Sequence, residues 1–144
     1  MTKLDFSVLW PFRKLLPAAL GLTIGIGLAG FILALAIAII VGSLRSRKLP
    51  KIISVILSTY VEVFRGTPLL VQLFFVYYGL PGLGFHIGPI KAAVITMGLN
   101  SGSYLSENIR ASILAVDKGQ YEAAYILGYT PIQRTFHIIL PQAI

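Results

Sequence analysis

The sequence predicts an all-α protein that is integral to a membrane. Of its 144 residues, 56% are hydrophobic and 12% are charged, the latter about half the ~25% usual in soluble domains. Long uncharged runs carry this excess, and in lipid such runs fold as helices. The composition excludes a disordered chain and an ordinary soluble domain. The lack of cysteine excludes a disulfide scaffold, a cysteine–zinc site, a thiol nucleophile and an iron–sulfur cluster.

The first predicted span occupies residues 18–43 and follows an N-terminal segment, residues 1–17. The uncharged run that contains it extends from Leu15 to Leu44, longer than the roughly 20 residues that cross a bilayer. Its small residues Gly21, Gly25 and Ala29 recur at four-residue spacing, which is typical of close helix contacts. Whether they make a specific contact stays open at this point.

The second predicted span, residues 52–81, is interrupted by Glu62, Arg65 and the sequence Gly66-Thr67-Pro68. One straight helix of this length would measure about 45 Å, against roughly 30 Å for the hydrocarbon core. We therefore expect a kink or a break near residues 66–68, where proline cannot donate a backbone hydrogen bond. The threonine and proline fit the N-cap and the first position of a new helix.

The third predicted span, residues 90–116, carries a stripe of polar residues on one helix face. The stripe consists of Thr96, Asn100, Ser103, Tyr104, Glu107 and Arg110. Because lipid cannot satisfy these groups, the stripe must face protein or water. It indicates a solute pathway, which we favour, or hydrogen bonds to neighbouring helices.

Residues 117–141 are more polar and are predicted to form a cytoplasmic loop with a short helix from Gln120 to Leu127. Gly128 is a typical helix stop, and Pro131 is placed to open another short helix. By the positive-inside rule, the segments after the first and third spans face the cytoplasm and the N-terminus lies outside. Those two segments hold Arg45, Arg47, Lys48, Lys51, Arg110, Lys118 and Arg134.

The charged pair in the second span allows two interpretations. Glu62 and Arg65 are three residues apart and fit an ion pair on one helix face. Alternatively, Arg65 and Thr67 line a solute path, where a helix N-terminus at Thr67 would offer backbone donors to a carboxylate.

No catalytic residue, metal site or cofactor is predicted. The two histidines, His86 and His137, lie far apart in loop contexts. The sequence has no phosphate-binding loop of the G-x-x-x-x-G-K-[ST] type. We interpret the basic residues as flanks of membrane spans rather than as a nucleic-acid surface.

Two stretches resemble the permease subunits of ATP-binding-cassette importers. In the first, Glu122-Ala123-Ala124 is followed after three residues by Gly128 and after nine more by Ile138-Ile139-Leu140-Pro141. This pattern resembles the EAA loop of that family. The second stretch, VEVFRGTPLLVQ at residues 61–72, resembles the signature of the polar amino-acid branch, and residues 100–107 and 117–120 also fit that branch.

The resemblance implies the first part of the type I importer permease fold. It also implies an ATP-driven, binding-protein-dependent importer of polar amino acids in the bacterial cytoplasmic (inner) membrane, with ATP hydrolysis in a partner subunit. Glu122, Ala123, Ala124 and Gly128 would couple to that ATP-binding subunit. The other implied partners are an extracytoplasmic solute-binding protein, a second permease subunit, identical or paralogous, and membrane lipid.

The resemblance further implies a substrate site on the second and third spans, with Arg65, Thr67, Asn100, Tyr104 and Glu107 as lining residues. Glu107 would meet the substrate ammonium, and Arg65 or the helix end at Thr67 would meet the carboxylate. Two alternatives stay open: a permease for another small organic solute, or a non-transporting structural fragment. Because relatives continue through further spans, we expect residues 1–144 to be a single partial permease domain, truncated at its C-terminus.

Overall fold

The computed structural model describes residues 10–130, 133 and 135–139, and in this part of the chain it contains helices and no strand. The helices are α1 (Leu15–Arg45), α2 (Lys51–Gly66), α3 (Leu69–Phe74), α4 (Pro89–Ala115) and α5 (Lys118–Ile126). A π-helical turn (Phe75–Gly79) and a 3-10 turn (Leu80–Leu83) continue α3, and a second π-helical turn spans Thr135–Ile139. The all-α prediction is confirmed.

The core lies between α1 and α4, which run parallel and approach closely through small residues. Gly30, Ala34, Ala38 and Gly42 are the small residues that α1 buries, at four-residue spacing. Opposite them, α4 buries Gly98, Gly102 and Ser106, also at four-residue spacing. Small residues at this spacing let two helix backbones approach each other.

Glycine is required at two points of this interface. A Cβ on Gly42 would lie 2.6 Å from the carbonyl oxygen of Ser106, and a Cβ on Gly98 would lie 2.5 Å from Cδ2 of Leu33. Both distances are shorter than a carbon can approach another heavy atom without displacing it. The interface therefore depends on the absence of side chains as much as on their presence.

The small-residue contact lies further along α1 than the first sequence pattern indicated. A Cβ on Gly21 or Gly25 would meet nothing within 4 Å, and Ala29 is exposed. Because α1 and α4 are parallel and α4 begins only at Pro89, the first turns of α1 extend beyond the interface. The same spacing rule recurs from Gly30 onward, where α4 lies alongside.

The second predicted span is broken rather than kinked. The axes of α2 and of the segment Leu69–Leu83 meet at 109°, and Thr67 and Pro68 between them are extended. The expectation that Thr67 is the N-cap of the new helix is wrong. Pro68 is itself extended and α3 begins only at Leu69, so the N-cap position falls on Pro68. Thr67 instead ends α2, and its hydroxyl donates back to the carbonyl of Val63 at 2.8 Å.

Two parts of the described chain are long and apolar enough to cross a membrane. They are α1 by itself and, when it is counted as one span, the bent pair of α2 with Leu69–Leu83. α4 has 27 residues, or about 40 Å of helix, but its polar stripe lowers its apolar character. The predicted spans 18–43, 52–81 and 90–116 coincide with these helices in position, and their passage through a membrane stays a prediction.

Candidate functional site

The break in the second span leaves carbonyl groups at the end of α2 without helical donors. Side chains of α4 supply part of the replacement. Asn100 Nδ2 donates to the carbonyl of Phe64 at 3.0 Å, and the Tyr104 hydroxyl donates to the carbonyl of Arg65 at 3.1 Å. These two members of the polar stripe therefore make hydrogen bonds to a neighbouring helix, which was the alternative to a solute pathway in the sequence analysis.

Gln72 on α3 supplies the rest, and sequence reasoning did not single it out. Its Nε2 lies 3.0 Å from the carbonyl oxygens of Phe64 and Thr67 and 2.7 Å from the Thr67 hydroxyl. The available signal was a lone amide in an otherwise apolar run, five residues after the expected break. An amide in such a run needs polar partners, and here the broken backbone provides them.

An open cleft of about 490 Å³ lies between α1, α2 and α4 beside this junction. Its lining residues are Arg45, Val61, Glu62, Arg65, Gly66, Tyr104 and Glu107. Thr67 and Asn100 stand beside the cleft without lining it. The structure thus brings Arg65, Tyr104 and Glu107 of the five predicted site residues to one cavity, and contact of any of the five with a substrate stays a prediction.

Arg65 is exposed in this cleft and stacks on an aromatic ring. Its guanidinium carbon lies 5.3 Å from the centroid of Tyr104, within the range of a cation–π contact. In the described part of the chain no ion pair joins Arg65 to Glu62, so the first of the two interpretations of these residues is wrong. The two charged side chains instead line the cleft separately.

Glu107 is shared by two arginines. Arg45 Nη1 lies 2.7 Å from Oε2, and Arg110 Nε donates to Oε1 at 2.9 Å. Each carboxylate oxygen therefore already has a charged donor, and the contact with Arg45 ties the end of α1 to α4. In the lining of the cleft Arg45 and Arg65 balance Glu62 and Glu107. Because Arg45 is engaged with Glu107, the exposed guanidinium of Arg65 is the group that favours an anionic partner there.

Two further members of the polar stripe, Thr96 and Ser103, bond within α4, as does Ser106 outside the stripe. The hydroxyls of Thr96, Ser103 and Ser106 donate to carbonyls three or four residues earlier in the same helix. All three residues are fully or almost fully buried. The stripe thus divides into a buried part whose hydroxyls bond within α4 and a part that faces the break and the cleft.

α5 forms a second candidate surface at the other end of the described chain. Its N-terminus is capped by Asp117, whose Oδ1 accepts from the backbone N–H of Gly119 at 2.6 Å. Gly128 has a φ of +75°, a left-handed conformation that favours glycine and ends the helix. The predicted helix and its stop at Gly128 are confirmed, while Pro131, Leu140 and Pro141 lie outside the described residues.

α5 presents large side chains to its surroundings. Tyr125, Ile126 and Leu127 are strongly exposed, and Glu122 and Ala123 are exposed beside them. Ala124 is fully buried, so only one of the two alanines is available to a partner. A short helix with an exposed apolar face is suited to insertion into a groove of another protein.

Comparison with known proteins gives a consistent set of relatives. Residues 30–144 match the family described as "binding-protein-dependent transport system inner membrane component". The chain is 42% identical over 134 residues to the L-cystine transport system permease protein TcyB of Bacillus subtilis, covering 93% of this chain and 56% of that protein. It is 35% identical over 143 residues to the glutamine transport system permease protein GlnP of Escherichia coli, covering 97% and 64%.

Two solved structures resemble the chain. The crystal structure of an amino acid ABC transporter with histidines aligns with a TM-score of 0.84 at 36% identity, over 99% of this chain and 66% of that one. The methionine ABC transporter MetNI in inward-facing conformations aligns with a TM-score of 0.65 at 21% identity and supports the fold alone. The chain spans less than two thirds of the length of these relatives.

Proposed function

The chain belongs to the family of binding-protein-dependent transport system inner membrane components, and on that premise we propose that it forms part of an ATP-driven importer of polar amino acids. The observation that carries this proposal is the cleft at the break of the second span, in which the Arg65 guanidinium is exposed beside the ring of Tyr104. Relatives that match most of this chain are named as permeases for cystine and for glutamine. Such solutes share an α-carboxylate and an α-ammonium group.

The carboxylate of the substrate binds Arg65. That guanidinium is exposed in the cleft and makes a ring contact with Tyr104, and its donors suit a planar carboxylate. The ammonium group faces Glu62, which lines the same cleft, or Glu107 when the arginines on it rearrange. Tyr104 forms the side of the site between these charges. Asn100 and Thr67 hold the backbone of α2 beside Arg65 through hydrogen bonds to its carbonyl groups.

Transport requires the partners that the family implies. An extracytoplasmic binding protein delivers the amino acid, and a second permease subunit, identical or paralogous, completes the pathway in the lipid. A separate ATP-binding subunit hydrolyses ATP and contacts α5, through Glu122, Ala123 and the exposed apolar residues beside them. The chain lies in the bacterial inner membrane with its N-terminus outside and α5 on the cytoplasmic side.

The test is amino-acid uptake by the complex of this permease with its ATP-binding subunit and binding protein, comparing Arg65→Gln with wild type. A lost charge-assisted hydrogen bond of about 1.5–3 kcal/mol corresponds to a rise in KM of roughly ten- to a hundredfold. Arg47→Gln is the matched control, because Arg47 is exposed and does not line the cleft. An unchanged KM in Arg65→Gln would remove Arg65 from the site.

A further inference from the structure

Gln72 holds the chain on both sides of the break. The residue is 8% exposed, and its side chain reaches back from α3 to the end of α2. Its Nε2 contacts the carbonyl of Phe64 on one side of Arg65 and Gly66, and both oxygens of Thr67 on the other. The segment that carries Arg65 is therefore fixed at its two ends by one amide group.

A second amide converges on the same point from α4. Asn100 Nδ2 donates to the carbonyl of Phe64 at 3.0 Å, the oxygen that Gln72 Nε2 also contacts at 3.0 Å. A carbonyl oxygen has two lone pairs, and two donors use both. Three helices thus meet at one backbone oxygen, and we name Gln72, Asn100 and the Phe64 carbonyl the amide clamp.

Packing does little to fix the angle at this point. A Cβ on Gly66 would meet nothing within 4 Å, and Val63, Leu69 and Leu70, which flank the break, are exposed. Thr67 and Pro68 are extended, so no helical hydrogen bond continues from α2 into α3. The polar contacts that remain to hold the 109° bend are those of the amide clamp and the hydrogen bond from Tyr104 to the carbonyl of Arg65.

The oxygen atom of the Gln72 side-chain amide shows which part of this group matters at the break. Its Oε1 is buried and has no hydrogen-bond partner among the described residues, which carries a desolvation cost. A methionine of similar length would avoid that cost and would fill the same space. What glutamine contributes here is therefore its N–H donors.

We infer that Gln72 is a positioning residue that sets the angle of the broken span, and that the amide clamp couples this angle to α4. When both amides hold the Phe64 carbonyl, α2, α3 and α4 move together and Arg65 keeps its place in the cleft. When the clamp is released, α2 and α3 turn about Thr67 and Pro68 independently. This inference concerns the geometry of the break and does not depend on the proposed transport activity.

The experiment measures the angle directly by electron-spin distance spectroscopy. The chain has no cysteine, so spin labels at Ser54→Cys and Leu83→Cys, one on each side of the break, give a signal without background. The full chain is reconstituted in lipid nanodiscs. Gln72→Met removes both donors at nearly constant volume, Asn100→Leu removes the second amide, and the double variant removes both.

We expect one narrow distance distribution for the labelled wild-type chain and a broad, shifted one for Gln72→Met, with the double variant broadest. Gly98→Ala is the matched control, because it destabilises the α1–α4 interface without touching the break and should leave the distribution narrow. A wild-type distribution in both Gln72→Met and the double variant, at unchanged helix content by circular dichroism, would overturn the inference.

A second variant covers the case in which Gln72→Met does not fold. Gln72→Asn keeps the amide but is one methylene shorter, so that it cannot hold Phe64 and Thr67 together. Broadening in this variant supports the clamp, and a narrow distribution refutes it.

Discussion

α4 makes two contacts of opposite character. Towards α1 it presents Gly98, Gly102 and Ser106 to small residues, and the two backbones approach closely over several turns. Towards the break of the second span it presents Asn100 and Tyr104, which donate hydrogen bonds to backbone oxygens at the end of α2.

The difference separates a rigid part of the molecule from an adjustable one. A close-packed helix pair has one arrangement, since any shift opens voids or creates overlaps. A contact made of discrete hydrogen bonds between exposed apolar neighbours can be broken and remade. The pair α1–α4 is therefore suited to act as a frame, and the junction of α2 and α3 as the part that moves against it.

The largest expected effect tests the rigid contact. Gly42→Ala places a methyl group 2.6 Å from the carbonyl oxygen of Ser106, and because backbone must shift, we expect a loss of about 2–3 kcal/mol in the free energy of unfolding. Denaturant titration of the chain in detergent, followed by circular dichroism, measures it. Gly21→Ala, where a Cβ meets nothing within 4 Å, should not destabilise, and equal losses in both variants would contradict close packing at Gly42.

A smaller effect is expected at Glu107, where an ion pair with Arg45 ties the end of α1 to α4. Glu107→Gln removes the carboxylate shared by Arg45 and Arg110, and we expect a loss of about 2 kcal/mol, the worth of a hydrogen bond to a charged group. The same titration measures it. Glu62→Gln is the matched control, since Glu62 is exposed and makes no ion pair in the described part of the chain, and should change stability by less than about 0.5 kcal/mol.

The smallest effect tests the adjustable contact. Tyr104→Phe removes one hydrogen bond, to the carbonyl of Arg65, but keeps the ring that Arg65 stacks on. We expect a loss of about 0.5–1.5 kcal/mol, together with faster amide hydrogen exchange near the end of α2. Tyr125→Phe, at an exposed ring on α5, serves as the control; a loss for Tyr104→Phe as large as that for Gly42→Ala would remove the distinction between the two contacts.

Sequence reasoning located the helices because apolar runs, proline and glycine act locally. The positions of the spans, the interruption at Gly66-Thr67-Pro68 and the stop of α5 at Gly128 followed from such local signals. The helix-start rule failed at Thr67. This residue fits an N-cap by type, but Pro68 after it stays extended and the helix begins one residue later, at Leu69, so the Thr67 hydroxyl donates back to Val63.

The partners of the polar side chains were not readable in the same way. Glu62 and Arg65 have the spacing of an ion pair, yet Arg65 stacks on Tyr104 and Glu107 takes Arg45 from a different helix. Sequence spacing reports only neighbours on one helix. Tyr104 of α4 lies beside Arg65 at the end of α2, and the parallel packing of α1 on α4 brings Arg45 to Glu107.

The sequence by itself determined the all-α fold class, the interruption of the second span and the family to which the chain belongs, because composition, helix breakers and motif spacing are properties of consecutive residues. The tertiary structure alone decided which small residues meet, that Glu107 is held between two arginines, and that Gln72 and Asn100 share the Phe64 carbonyl. Those contacts depend on the angle and offset at which helices cross, and these are set by packing between segments far apart in the chain.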